Sequence, residues 1–373
     1  RSIIMVEYLS GNRIQGSSTL TTSPPQTSWK ILNRANLSGG TSQTLNVSYA
    51  DRDHVMILVD WARESGASSD PKQQLGDSSA DTGSNYASVF SANGSDDETT
   101  HTGKDYITKW ATGSGSSVRN FDMLEFVNPS DGYKLGVTHG VFSGAQGAAN
   151  QIHRTESTFK WGSNSQAGYY SLKGASTCVF STSSEVVVLG MNNDEEDGGT
   201  TTPNAWQKLA ETTTIVGTGS NCHLTTEAFT PKKYLWIQAQ IKDGAGNQAP
   251  ALRFGADGTR DNGSNYSRRA WVHNSTSDSA PSSAQDWIQG LSPPSNASSF
   301  DEFFVVNKST NDKLVIGHSS SVYNQSNGNN NFPRRTEVVG RWVNSGQINC
   351  VSMSNDDTGT FGTGSRLVVW GFD

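Results

Sequence analysis

Phe121-Asp-Met-Leu-Glu-Phe-Val-Asn128 and Phe300-Asp-Glu-Phe-Phe-Val-Val-Asn307 are two copies of one strand-length segment, and each is followed by the same markers. Lys134-Leu135 with His139 answers Lys313-Leu314 with His318, Arg154-Thr155-Glu156 answers Arg335-Thr336-Glu337, and Trp161 answers Trp342. Ser184-Glu-Val-Val-Val-Leu-Gly190 then matches Ser365-Arg-Leu-Val-Val-Trp-Gly371. Upstream, Gly83-Ser84-Asn85-Tyr86 recurs as Gly263-Ser264-Asn265-Tyr266 and Trp29-x-x-Leu32 as Trp206-x-x-Leu209. His54-Val-Met-Ile-Leu-Val59 corresponds to Tyr234-Leu-Trp-Ile-Gln-Ala239, and both read as a central strand. The order never breaks, so the chain is a tandem duplication, the first thing to establish in any unfamiliar sequence.

Within each copy the apolar runs are short, rich in Val, Ile, Phe, Tyr and Trp, and separated by Gly, Ser, Asn and Asp clusters. Those are strand and turn signals. Helical spacing is not sustained for three turns anywhere, and Ser283 to Leu291 accommodates one short helix at most. The expected fold is all-β: two jelly-roll-like β-sandwich domains over residues 26–191 and 204–373. Residues 192–203, with Asn192-Asn-Asp-Glu-Glu-Asp-Gly-Gly199, read as an acidic, glycine-containing linker. Residues 1–25 form an arm outside both repeats, in which Ile3, Ile4, Met5, Val6, Tyr8 and Leu9 make a strand-sized apolar run closed by Ser23-Pro24-Pro25.

Composition narrows the function classes. Only 33% of the 373 residues are hydrophobic and 17% charged, yet there are ten Trp, ten Tyr and fourteen Phe, which fits polar loops around strand-built cores better than disorder. A net charge of −7 with no basic cluster argues against nucleic acid as a partner. The longest apolar run, Val55 to Val59, is too short for membrane insertion. Cys178, Cys222 and Cys350 have no zinc-site spacing and read as small buried hydrophobes; a Cys222–Cys350 disulfide has no support from spacing.

A catalytic site needs groups with divided roles converging in a cleft, and no elbow, P-loop, metal-protease or dinucleotide motif is present, so no enzyme activity, metal site or cofactor is expected. His139 and His318 read as strand-end histidines bonded within the fold. Arg154 with Glu156, and Arg335 with Glu337, share a strand face and are expected to meet cross-strand partners. Glycine and asparagine tolerate positive φ, so Gly-Ser-Asn-Tyr is expected to make a tight turn that delivers Tyr86 and Tyr266 onto a strand behind Asn85 and Asn265. The acidic loops at Asp96-Asp97-Glu98, Asp194 to Asp197 and Asp356-Asp357 lack the EF-hand register and read as solvated.

Val6-Glu-Tyr-Leu-Ser-Gly-Asn-Arg-Ile-Gln-Gly16, Lys232-Lys-Tyr-Leu235, Gly-Ser-Asn-Tyr, Arg335-Thr-Glu-Val-Val-Gly-Arg-Trp342 and the closing Phe361-Gly-Thr-Gly-Ser-Arg-Leu-Val-Val-Trp-Gly371 resemble repeat domains of virion surface proteins in marine tailed viruses of bacteria or archaea. The resemblance runs over nearly the whole chain and is clearer in the second copy. It implies a non-enzymatic virion structural protein, of capsid-decoration or tail-fibre type, at the virion surface or outside the cell. Its partners would be copies of itself or a capsid or tail protein, met through the β-domains and the N-terminal arm. Two rival readings are an extracellular adhesion module that binds a cell-surface glycan through exposed aromatic rings, and a filament subunit that donates its N-terminal strand to a neighbour. Glycoside hydrolysis would require two carboxylates facing across a cleft, and no pair stands out.

Overall fold

The structure is a computed structural model that describes residues 8–9, 12–13, 28–37, 42–65, 71–93, 99–107, 119–143, 149–174, 178–192, 205–242, 244–272, 282–289, 298–322 and 333–373. It divides into two units, Arg1–Gln146 with His153–Ala205, and Gly147–Ile152 with Trp206–Asp373. Among the described residues there is no α-helix; one short 3-10 turn, Gly219–Asn221, is the exception to strands and loops.

The first unit contains β1 (Tyr8–Leu9), β2 (Asn12–Arg13), β3 (Lys30–Asn36), β4 (Thr44–Ser48), β5 (His54–Ser65), β6 (Lys72–Gly76), β7 (Tyr86–Ala92), β8 (Thr99–Lys104), β9 (Arg119–Val127), β10 (Lys134–Ser143), β11 (Ile152–Trp161), β12 (Tyr169–Lys173), β13 (Val179–Phe180) and β14 (Glu185–Met191). Its large sheet runs β3-β14-β5-β9-β10-β11-β7-β8, with β13 also on β5, and its small sheet runs β4-β12-β6. The second unit contains β15 (Gln207–Thr212), β16 (Ile215–Val216), β17 (His223–Thr225), β18 (Tyr234–Ile241), β19 (Pro250–Gly255), β20 (Tyr266–Val272), β21 (Ser282–Gln285), β22 (Ile288–Gln289), β23 (Ser299–Val306), β24 (Lys313–Val322), β25 (Pro333–Trp342), β26 (Cys350–Asn355) and β27 (Arg366–Phe372). Its large sheet runs β15-β27-β18-β23-β24-β25-β20-β21, the same order strand for strand, and its small sheet runs β16-β17-β26-β19-β22. Both units are antiparallel two-sheet sandwiches, and the repeat read in the sequence is a repeat of topology.

Period-two alternation decides which face each strand buries. On β18, Leu235, Ile237, Ala239 and Ile241 point into the core and meet Leu252, Phe254, Val351 and Met353 of the small sheet. On β5, Val55, Ile57, Val59 and Trp61 do the same against Leu45, Val47, Leu75, Tyr170 and Leu172. The alternate residues Tyr234 and Trp236 are buried as well; Trp236 stacks on Phe304 with ring centres 5.9 Å apart, and Trp206 meets Phe372 at 4.7 Å. Burial on both faces is why these strands read as nearly continuous apolar runs.

Two points left open by the sequence are decided by the structure. The described part of the stretch from Ser283 to Leu291 is not helical: Ser282–Gln285 and Ile288–Gln289 are strands, and Asp286 and Trp287 between them are claimed by Arg253 and Arg268 of neighbouring strands. Cys222 and Cys350 are not joined; all three cysteines are free and buried, with the Cys222 sulfur accepting from the Phe361 amide and the Cys350 thiol donating to the Thr226 carbonyl. Of the arm, Tyr8–Leu9 pairs antiparallel with Asn12–Arg13, while Ile3, Ile4, Val6 and the linker from residue 193 to 204 lie outside the described residues.

One buried carboxyl separates the two cores. Asp122 is enclosed, accepts from the Trp61 indole at 2.7 Å, and is pushed up to about 8 by burial, with the indole bond opposing and the neighbouring Asp60 adding to the rise. At the matching position Asp301 is held by the Ser299 and Ser319 hydroxyls at 2.9 and 2.5 Å. A carboxyl raised in the folded state binds its proton where the unfolded chain has lost it. Stability of the first unit should therefore fall as pH rises from about 4 to 8, by at most about 1.4 kcal/mol per pH unit, and level off above. Asp122→Asn, which mimics the neutral acid, should flatten that slope and exceed the parent at pH 8 in denaturant melts; an unchanged slope would refute the assignment.

Candidate functional site

The duplicated Gly-Ser-Asn-Tyr segments are one part of a clamp that also uses residues from three other places in each unit. In the first, the chain leaves β6 at Gly76, where a Cβ would lie 1.7 Å from the Ser79 carbonyl oxygen, so only glycine permits the approach. The loop returns with the Asp81 amide bonded to the Leu75 carbonyl at 2.8 Å. The Asp81 carboxylate then accepts from the Gly83 amide at 2.8 Å, the Asn85 side-chain amide at 2.9 Å and the Trp161 indole of β11 at 2.8 Å. Tyr86 enters the core and its hydroxyl both accepts from the Leu75 amide and donates to the Leu75 carbonyl, at 3.0 and 2.7 Å.

The second unit repeats each bond. A Cβ at Gly255 would lie 1.9 Å from the Thr259 carbonyl oxygen. Asp261 accepts from Gly263, Asn265 and the Trp342 indole at 2.7, 2.8 and 2.8 Å, and Tyr266 closes on the Phe254 amide at 2.9 Å. Tyr86 stacks on Trp161 and Tyr266 on Trp342, with ring centres 6.4 and 6.2 Å apart. Beyond the indoles sit two buried lysines. Lys134 donates to the Gly132 and Ser163 carbonyls with its ammonium 5.6 Å from the Trp161 ring, and Lys313 donates to the Asn311 and Asn344 carbonyls 6.0 Å from Trp342. A third pair, Asn128 and Asn307, bonds the backbone of the segment before β12 or β26: Asn128 accepts from the Ala167 amide at 2.7 Å and Asn307 from Ile348 at 2.6 Å.

Electrostatics follow from this saturation. Burial alone would raise the Asp81 carboxyl, but the bonds from Trp161, Asn85 and Gly83 outweigh it and leave the group below its usual value. Burial pushes the Tyr86 and Tyr266 phenols well above theirs. A carboxylate satisfied by three donors is an acceptor hub that fixes a loop, and the geometry gives it no proton to pass.

The other predicted residues have structural surroundings too. Arg154 pairs with Glu156, and Arg335 with Glu337, along their own strands, since two residues apart on one face is already within reach of a guanidinium. His139 lies 3.9 Å from Glu156, and His318 stands opposite Glu302 and Glu337 in the ladder. Sequence reading missed Asp81 and Asp261, although an acid stands five positions before each tyrosine, and it quoted Lys134, Lys313, Asn128 and Asn307 without assigning them a task. Eight of the ten tryptophans are buried, which removes most of the aromatic surface a sugar-stacking platform would use.

No protein-family model and no curated protein matches this chain. Among solved structures, the mouse laminin alpha1 chain, domains LG4-5, aligns over 94% of this chain and 90% of that one, at 9% identity and a TM-score of 0.17, a likeness too small to carry an argument.

Asp261→Ala would strip the acceptor from an indole, a backbone amide and a side-chain amide at once. It should cost the second unit about 2–4 kcal/mol, and Asp81→Ala the first unit a similar amount, whereas Trp342→Phe, which loses one donor, should cost less. Differential scanning calorimetry of the full chain checks this; a shift equivalent to under about 0.5 kcal/mol for Asp261→Ala would show that the clamp is ornamental.

Proposed function

We propose that the chain is a non-enzymatic structural protein of a virus particle, of capsid-decoration or tail-fibre type, in which two sandwiches serve as rigid spacers and the N-terminal arm makes the assembly contact. One observation carries this reading: the side chains that recur in both copies, from Asp81, Tyr86, Trp161 and Lys134 to Asp261, Tyr266, Trp342 and Lys313, are spent on holding loops to strands. Repetition has preserved a scaffold, and a scaffold used twice suits a component that must span and hold.

Sheet edges supply a second support. On the edge strand β15, Lys208 is bonded to Glu211 at 2.9 Å, and Glu211 also accepts from Arg366 at 2.6 Å. Charged pairs on an edge discourage strand addition by another chain, which leaves the apolar run Ile3, Ile4, Val6, Tyr8, Leu9 as the segment suited to a partner.

Light scattering on the full chain and on a chain lacking residues 1–24 tests the arm. The full chain should form an oligomer or bind purified particles, and the truncated chain should be monomeric and unbound with an unchanged melting profile. Equal mass and equal particle binding for both would refute the arm's role.

A further inference from the structure

The outward face of the small sheet places its cationic groups differently in the two copies. In the first unit the ladder places Asn46, Ser171 and Gln74 side by side across β4, β12 and β6, with Thr44, Lys173 and Lys72 in the next row. In the second unit the corresponding row across β17, β26 and β19 is Thr225, Ser352 and Arg253, and the next holds His223 and Ser354. The residue before the clamp aspartate also changes, from Ala80 to Arg260. The second copy therefore carries two guanidiniums and an imidazole where the first carries Gln74, Ala80 and Thr44, while Ala251 and Ser354 stand where the first carries Lys72 and Lys173.

These groups form a connected array. Arg260 donates to the Ser354 hydroxyl at 3.1 Å, Ser354 lies 3.2 Å from the Ser352 hydroxyl, Thr225 donates to Ser352 at 2.8 Å, and the His223 Nδ1 is 2.9 Å from the Thr225 oxygen. Arg253 is buried and already answered by Asp286, through its Nε to the Asp286 carbonyl at 3.0 Å and its Nη2 to the carboxylate at 2.9 Å. Arg268 lies over the Trp287 ring at 3.4 Å. Arg260 has no carboxylate partner among the described residues. Its side chain is half-buried, and burial followed by the nearby Arg253 charge holds its guanidinium below the usual value; burial, Arg260 and Arg253 likewise lower the His223 imidazole.

A half-buried guanidinium flanked by a second guanidinium, an imidazole and hydroxyls is costly unless an anion completes it. A guanidinium fork also offers the two parallel donors that an oxyanion accepts. We infer that Arg260, beside His223, forms an oxyanion-binding site on the second unit for a sulfate, phosphate or carboxylate group, either free or borne on an acidic saccharide. The first unit has no arginine or histidine at the matching positions; the cations on its face are Lys173 and Lys72, the latter paired with Asp105. This site is independent of the assembly role proposed above, since it lies on a sheet face remote in sequence from the arm.

Binding of three probes to the full chain tests it by isothermal titration at fixed ionic strength: sodium sulfate, a sulfated dextran oligosaccharide, and neutral dextran of the same length. Sulfate and sulfated dextran binding alike would identify a free-anion site, and binding of sulfated dextran alone would identify an acidic-saccharide site. In either case Arg260→Gln should weaken binding about tenfold or more, Arg260→Lys less, and Lys208→Gln not at all, with melting temperatures confirming that each variant is folded. Failure of both anionic probes to bind, equal binding by Arg260→Gln, or equal binding of neutral dextran would overturn the inference.

Discussion

An indole N–H aimed at a carboxylate organises each half of this protein. Trp161 and Trp342 end the strands β11 and β25, and their donors reach across to Asp81 and Asp261 in the loop that leaves the small sheet. That bond ties the two sheets at one end of the sandwich, because Tyr86 and Tyr266 grow from the same loop and bury their hydroxyls on the backbone of β6 and β19. Hydrophobic burial supplies most of the driving force in both cores, but it is indifferent to which loop conformation closes them. Polar bonds that would be expensive to leave unmade choose one.

The lysines extend the same logic. A buried ammonium is costly, and Lys134 and Lys313 each satisfy two backbone carbonyls beside an aromatic face. Indole, phenol, ammonium and carboxylate therefore form one unit, and its repetition in both halves explains why the Gly-Ser-Asn-Tyr turn is as well kept as the strands. By contrast Asp122 and Asp301 occupy one position with different companions, an indole in one half and two serine hydroxyls in the other. The halves share their closure and have diverged in their interiors and on their outer faces.

The strands and their order were legible because period-two burial and glycine-bounded runs are local properties, and duplication let each copy check the other. Trp161 and Trp342, Tyr86 and Tyr266 stood out for the same reason. Asp81 and Asp261 did not, since an acid in a Ser, Gly and Asn-rich loop looks solvated until the indole facing it is known. Ser283 to Leu291 stayed open to one short helix in the sequence because Asp286 and Trp287 answer to Arg253 and Arg268, which lie apart from them in the chain. The grouping of Arg253, Arg260 and His223 was hidden for a further reason: they are scattered along the sequence, and only the ladder brings them together.

The three thiols offer a use that follows from their isolation. Cys178 lies in the first unit and Cys222 and Cys350 in the second, all are fully enclosed, and burial raises each above the ordinary thiol value. A thiol must be both uncovered and ionised before it reacts with an alkylating reagent. In the native chain both conditions fail, so alkylation counts openings of each half separately, with one reporter in the first and two in the second. The protein thus carries its own clock for the order in which its halves come apart.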